Sequence, residues 1–190
     1  AHVERTPQAL WDSEFKMHGL QIWLASPKEH ERGPGHYSYH PASSLPVSDN
    51  LGVKIRMIAG SGFCLESPVP VLSPTLYAEL QLQTATTLLI PNEHQERAIY
   101  VLSGDAQLDD TALEPHALVV LPPGAEMILS AASDCHAVLF GGAPLDGPRR
   151  INWNFVASDP AAIDEARRRW ASGDWPTVPG ESERIELPQR

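Results

Sequence analysis

What this sequence lacks narrows its class before any motif is read. Long apolar runs are missing: no stretch approaches the ~20 residues a membrane-crossing helix needs. A basic excess is missing as well. Fourteen Lys and Arg stand against 24 Asp and Glu, a net charge of -10, whereas nucleic-acid binders usually carry a basic stripe. Direct nucleic-acid binding is therefore not expected, and the acidic balance is read as a solubility feature. Cysteine is scarce: Cys64 and Cys135 are far apart, each among apolar neighbours. Buried free thiols in a reduced cytoplasmic protein are the expectation, with a structural disulfide as the lesser alternative. The first residues show no basic segment followed by an apolar core, so no signal peptide is read. No Gly-x-Ser-x-Gly elbow supports a serine hydrolase.

What is present points to short strands. With 42% hydrophobic residues the chain can bury a core, and its 18 prolines and 13 glycines are spread along it as turn punctuation. Residues 18–24 (His-Gly-Leu-Gln-Ile-Trp-Leu) are read as a strand buried on both faces. The Pro-, Gly-, His- and Ser-rich stretch 26–50 is too long for a loop inside one domain and is expected to join two. From Gly52 the period becomes two. Val53, Ile55 and Met57 alternate up to a turn expected at 59–62, and Leu76, Ala78, Leu80 and Leu82 share one face. Further strands are predicted over 87–90, 98–102, 106–108, 117–121, 127–130 and 136–140. This spacing predicts an all-β sandwich or barrel over about 52–142, closed and mostly antiparallel.

One helix is predicted near the C-terminus. Asp159 can cap it, Pro160 suits its first turn and Gly173 can end it. Ile163, Ala166 and Trp170 share a face expected to pack on the barrel. Arg167, Arg168 and Arg169 are expected to be solvated at its negative end. Trp175 should hold the following tail to the barrel.

Residues 91–104 and 121–127 resemble, in worn form, the two metal-binding motifs of the cupin superfamily. Only His94 and Glu96 remain near the first set, and Met127 stands where the second expects its histidine. A thioether replaces imidazole poorly for a borderline or hard divalent metal, so this barrel is expected to be metal-free.

Outside those motifs the chain resembles the pirin family. The resemblance is carried by residues 18–23 (His-Gly-Leu-Gln-Ile-Trp), 96–101 (Glu-Arg-Ala-Ile-Tyr-Val), 151–156 (Ile-Asn-Trp-Asn-Phe-Val), the helix with Ala166 and Trp170, and 173–180 (Gly-Asp-Trp-Pro-Thr-Val-Pro-Gly). It implies a cupin jelly-roll barrel with a C-terminal α-helix, the second half of a two-barrel protein. Residues 1–50 would be the tail of an N-terminal metal-binding cupin plus linker, and 51–190 the C-terminal cupin with helix and extended tail. The resemblance further implies iron or another divalent transition metal in the N-terminal cupin. His2 and Glu4 match its last ligand pair, Glu4 being also the catalytic carboxylate, with Val3 in place of the usual serine. Two ligands at a chain end are expected to bind metal weakly or not at all.

Three functions follow as alternatives. One is metal-dependent dioxygenation of a flavonol-type small molecule, of the quercetin 2,3-dioxygenase kind, which requires a fuller N-terminal cupin. Another is a regulatory module binding a protein partner of the transcription-cofactor type. The last is a remnant or fragment of a longer pirin. Open sheet edges would favour a homodimer. His30, His36 and His40 are read as exposed loop residues, His116 as a turn residue where the family has glycine, and His136 as a residue at a strand start.

Overall fold

The computed structural model describes residue 2 and residues 4–188. The chain forms two compact units, one spanning His36–Pro144 and the other built from the flanking segments, up to Gly35 and from Leu145 onward.

The first unit holds strands β1 (Val47–Asn50), β2 (Val53–Gly62), β3 (Leu65–Glu66), β4 (Thr75–Leu82), β5 (Thr87–Ile90), β6 (Glu96–Ser103), β7 (Ala106–Leu108), β8 (Thr111–Leu113), β9 (Leu118–Leu121), β10 (Met127–Ala131) and β11 (Cys135–Gly142). They make two sheets, ordered β1-β2-β4-β11-β6-β9 (with β3 on β2) and β5-β10-β7-β8. Alternation decides what each strand buries. Leu76, Ala78, Leu80 and Leu82 of β4 all turn inward at 4% exposure or less, as their common parity requires. They meet Met57, Ile99, Val101, Leu121 and Leu139 of their own sheet and Ile90, Leu108 and Leu129 of the other in a single core. Each such aliphatic side chain contributes about 1.5–3 kcal/mol by leaving water. The fold is the all-β jelly roll expected.

Four local expectations need correction. The barrel does not close by hydrogen bonds: among the described residues no strand of one sheet pairs with a strand of the other. Edge strands β8 and β9 have only three and four residues, too few to carry the ladder round the corner. The turn expected at 59–62 is instead a strand with a bulge between Met57 and Ala59. Gly60 makes this possible: its φ is +75°, and a Cβ there would stand 1.8 Å from the Thr75 carbonyl oxygen. The linker hides β1, which pairs residue by residue with β2. Cys64 is exposed in the two-residue turn between β2 and β3, and only Cys135 is buried.

The second unit holds a hairpin of β12 (Arg150–Asn152) and β13 (Phe155–Ala157), then α1 (Pro160–Ser172). The helix starts as predicted. The Asp159 carboxylate accepts the Ala161 amide at 2.9 Å, and Gly173 ends it at φ +77°. Its packing differs from expectation. Ile163, Ala166, Trp170 and Trp175 cluster with Phe155 and Ala157 of the hairpin, not with the barrel core. Trp153, Phe155, Trp170 and Trp175 meet edge-on or tilted at 5.3–5.7 Å between centroids, the geometry aromatic quadrupoles prefer. Nor are the helix arginines simply solvated. Arg167 donates to Asn152 Oδ1 at 2.6 Å, and Arg169 pairs with Asp174 and lies over the Trp175 ring.

Residues 18–24 form no strand, and Leu20, Ile22, Trp23 and Leu24 are exposed. A strand exists through its ladder, and among the described residues no backbone pairs with this segment. Charge fastens the unit instead. The Arg149 side chain, 5% exposed, pairs with Glu31 and donates to Asp146 Oδ1 at 2.6 Å and to the Ser26 carbonyl at 2.8 Å. The Ser158 hydroxyl donates to Glu31 at 2.7 Å. That bond first, and the Arg149 charge after it, hold the Glu31 carboxyl below its ordinary range.

Candidate functional site

His2 and Glu4 lie in a segment without regular structure, 3.7 Å apart from His2 Nε2 to Glu4 Oε1. Their side chains are 83% and 63% exposed. Val3 lies outside the described residues. Gln21 Nε2 donates to Glu4 Oε2 at 2.6 Å, so the carboxylate is oriented by a side chain from the 18–24 segment. The next residue anchors the strip. Arg5 forks onto Glu181 at 2.9 and 2.6 Å and reaches Glu183 at 3.1 Å. This fork raises the Arg5 pKa and lowers that of Glu181. The chain end is thus tied to the C-terminal tail, which the sequence reading did not foresee.

Imidazole and carboxylate are the right donors for an iron-type metal, yet two of them fall short of a site. Among the described residues no group of three His, Cys, Asp or Glu side chains could hold a metal ion. The residues present in this chain therefore do not by themselves fit the cofactor, and no chemical step is assigned through it.

The worn cupin motifs meet at one end of the jelly roll. His94 Nε2 donates to the Ser61 carbonyl at 2.8 Å, and Glu93 accepts the Phe63 amide at 3.1 Å. Glu96 does not face the interior. In β6 it shares the outward side with Ala98 and Tyr100, while Arg97, Ile99 and Val101 point in. The reading of Glu96 as a remnant of the ligand set is corrected by that alternation. Met127 is half-buried and packs on the core.

Arg97 is the residue the sequence reading passed over. It is 2% exposed and donates to the carbonyls of Pro91, Pro122 and Ala125 at 2.7, 2.9 and 2.7 Å. The signal was available: counting by two from Ile99 and Val101 places residue 97 inside.

A further titratable cluster lies on the outward face of the large sheet. Glu79 pairs with Arg56 of the neighbouring strand and accepts from His136 at 3.0 Å and Gln81 at 3.1 Å. Burial, then the Glu79 charge, raises the Tyr77 pKa. Three donors thus meet the Glu79 carboxylate across the strands, while Arg56 Nε is buried without a hydrogen-bond partner among the described residues. His116 is exposed at φ +65°, a left-handed conformation that explains why glycine suits this position.

Comparison with known proteins gives this geometry its context. Residues 77–185 match the family model described as the pirin C-terminal cupin domain. A pirin-like protein of Caulobacter vibrioides is 36% identical over 173 residues, covering 90% of this chain and 59% of that protein. Pirin of Homo sapiens is 28% identical over 161 residues, covering 81% and 56%. The crystal structure of a quercetin 2,3-dioxygenase from Acinetobacter baumannii superposes with a TM-score of 0.79 at 26% identity, over 88% of this chain and 57% of that one. The chain spans little more than half the length of each of these relatives. Matched over more than half its own length by the family's C-terminal domain, the chain belongs to the pirin family.

Proposed function

We propose that this chain carries the second-barrel part of a pirin whose chemistry is metal-dependent dioxygenation of a flavonol-type substrate, as the name of the Acinetobacter relative suggests. On this reading residues 1–50 are the tail of the metal-binding cupin plus linker. His2 and Glu4 are two of the ligands of an iron-type or other divalent transition metal, and Glu4 is the catalytic carboxylate. The observation that carries the reading is the His2–Glu4 pair with Gln21 orienting the carboxylate, since ligating carboxylates are commonly held by an outer hydrogen bond. The jelly roll is the supporting barrel.

The test is oxygen uptake with quercetin and added Fe(II) or Ni(II), run on this chain and on the intact gene product that contains it. The intact product should turn over and lose about 100-fold or more on His2→Ala or Glu4→Ala, because removal of a ligand removes the metal. The 190-residue chain should show no metal-dependent turnover. Unchanged turnover in both variants would sink the assignment.

A second reading, a module for a regulatory protein partner or a second copy of itself, rests on one feature. Leu10, Trp11, Phe15, Met17, Trp23 and Leu24 are all exposed within 15 residues. Apolar surface this dense marks an interaction site. Sedimentation of the wild type and of Trp11→Ser/Trp23→Ser distinguishes self-association from a monomer.

A further inference from the structure

Three carbonyl oxygens converge on one point of the jelly roll. Pro91 follows β5, whereas Pro122 and Ala125 lie between β9 and β10. The two loops are far apart in sequence, and converging carbonyl dipoles repel one another unless a cation sits between them. Arg97 supplies that cation. Its guanidinium is buried, and among the described residues no carboxylate lies within ion-pair distance of it. Its Nε has no hydrogen-bond partner there. A buried charge without a counter-ion persists only where dipoles solvate it. The solvating dipoles here come from the two loops that correspond to the worn metal motifs.

We propose that this end of the jelly roll is a cation-binding site made of three backbone carbonyls, filled by the chain's own Arg97 guanidinium, which fastens the two motif loops. Its ligand class is a planar, delocalised cation able to donate in several directions at once. A lysine ammonium on a flexible stem does not reproduce that fork. The site needs no carboxylate or imidazole, so it is distinct in chemistry from the His2–Glu4 pair and stands whether or not the dioxygenase reading does.

The experiment is chemical rescue in the full chain. Arg97→Ala should melt about 10 °C below wild type, since three carbonyls lose a charged donor. Guanidinium or methylguanidinium chloride at about 20 mM lies far below the molar range in which it denatures. It should raise the melting temperature of Arg97→Ala by about 2 °C or more and leave wild type unchanged, because a ligand that binds only the folded state stabilises it. Urea, planar and of the same size but neutral, should not rescue, and NaCl controls for ionic strength. Parallel responses of variant and wild type, or equal rescue by urea, would overturn the proposal. If Arg97→Ala does not fold alone, refolding yield with and without methylguanidinium gives the same readout. Arg97→Lys adds an independent one: amide exchange in residues 92–96 and 124–127 should speed up about 10-fold or more. Wild-type protection in the Lys variant would show that the fork is not what fastens the loops.

Discussion

The two units of this chain are stable for different reasons. Residues 36–144 bury 18 hydrophobic residues in one core drawn from both sheets. Among the described residues, the unit of residues up to 35 and from 145 onward buries only Phe155, Ala157 and Ile163 in its cluster. It makes up the difference with half-buried aromatic rings, the Arg149–Glu31–Asp146 network and the Arg5 fork. A sheet with period-two alternation brings its apolar set together automatically. A unit assembled from two distant chain segments needs directional contacts to specify which parts meet, and those contacts depend on charge state. The candidate ligands His2 and Glu4 sit in the second kind of structure.

Of the single changes, loss of Arg149 should have the largest effect. Arg149→Ala takes the guanidinium from both Glu31 and Asp146, leaving Glu31 to Ser158 and Asp146 to the Lys28 amide, and losing one partner of an ion pair destabilises more than losing both. The loss should fall on the second unit. All five tryptophans of the chain, 11, 23, 153, 170 and 175, lie there, so their fluorescence should shift while exchange of the β4 amides stays slow. Leu80→Ala is the reciprocal variant. Leu80 is fully buried, and the cavity should cost about 2–5 kcal/mol, accelerating β4 exchange with the tryptophan signal unchanged. If both probes move together in both variants, the chain is one cooperative structure and the contrast fails. Asp159→Ala tests a smaller element: it removes the N-cap bond of α1 and should cost about 1 kcal/mol, read as faster exchange at the amides of 161–163.

The smallest effect near neutrality, visible only in acid, separates the units by pH. In the second unit Glu31 is lowered by Ser158, Asp146 by the Lys28 amide and then Arg149, and Glu181 by Arg5. In the first, Asp134 is lowered by the Thr84 amide and hydroxyl. A depressed folded-state pKa contributes stability above the ordinary carboxylate value, and that stability is lost as pH falls through the lowered one. Below about pH 4 the second unit should therefore loosen first, since more of its contacts depend on carboxylates. Tryptophan fluorescence changing before β-sheet circular dichroism is the expected order; simultaneous loss would contradict it.

What the sequence revealed follows the same division. Apart from β8, which no expected strand covers, the strands from 75 to 142 and the capped helix were legible because each carries its own local signal, alternation in β4 and an Asp–Pro start with a Gly stop in α1. The bulge at Gly60 was misread as a turn because glycine serves both, and only the approach of Thr75 decides. The 18–24 segment has strand-like residues yet forms no ladder, since pairing is set by a partner and not by propensity. The Arg149–Glu31 pair joins residues 118 apart in the sequence, and no local pattern encodes it. At the site, His2 and Glu4 came from the family resemblance alone. Arg97 was readable by parity and was overlooked because its neighbour Glu96 has the ligand's chemistry.

On the proposed reading, metal chemistry belongs to the His2–Glu4 pair and not to the jelly roll of residues 47–142. The measurement is metal content of the intact gene product containing this chain, comparing His2→Ala and Glu4→Ala with His94→Gln and Glu96→Gln. The first two variants should lose the bound metal, each having given up one of its ligands, and the latter two should retain wild-type stoichiometry. Metal lost with His94→Gln or Glu96→Gln, and kept in the His2 and Glu4 variants, would place the site in the jelly roll and contradict its assignment to the His2–Glu4 pair.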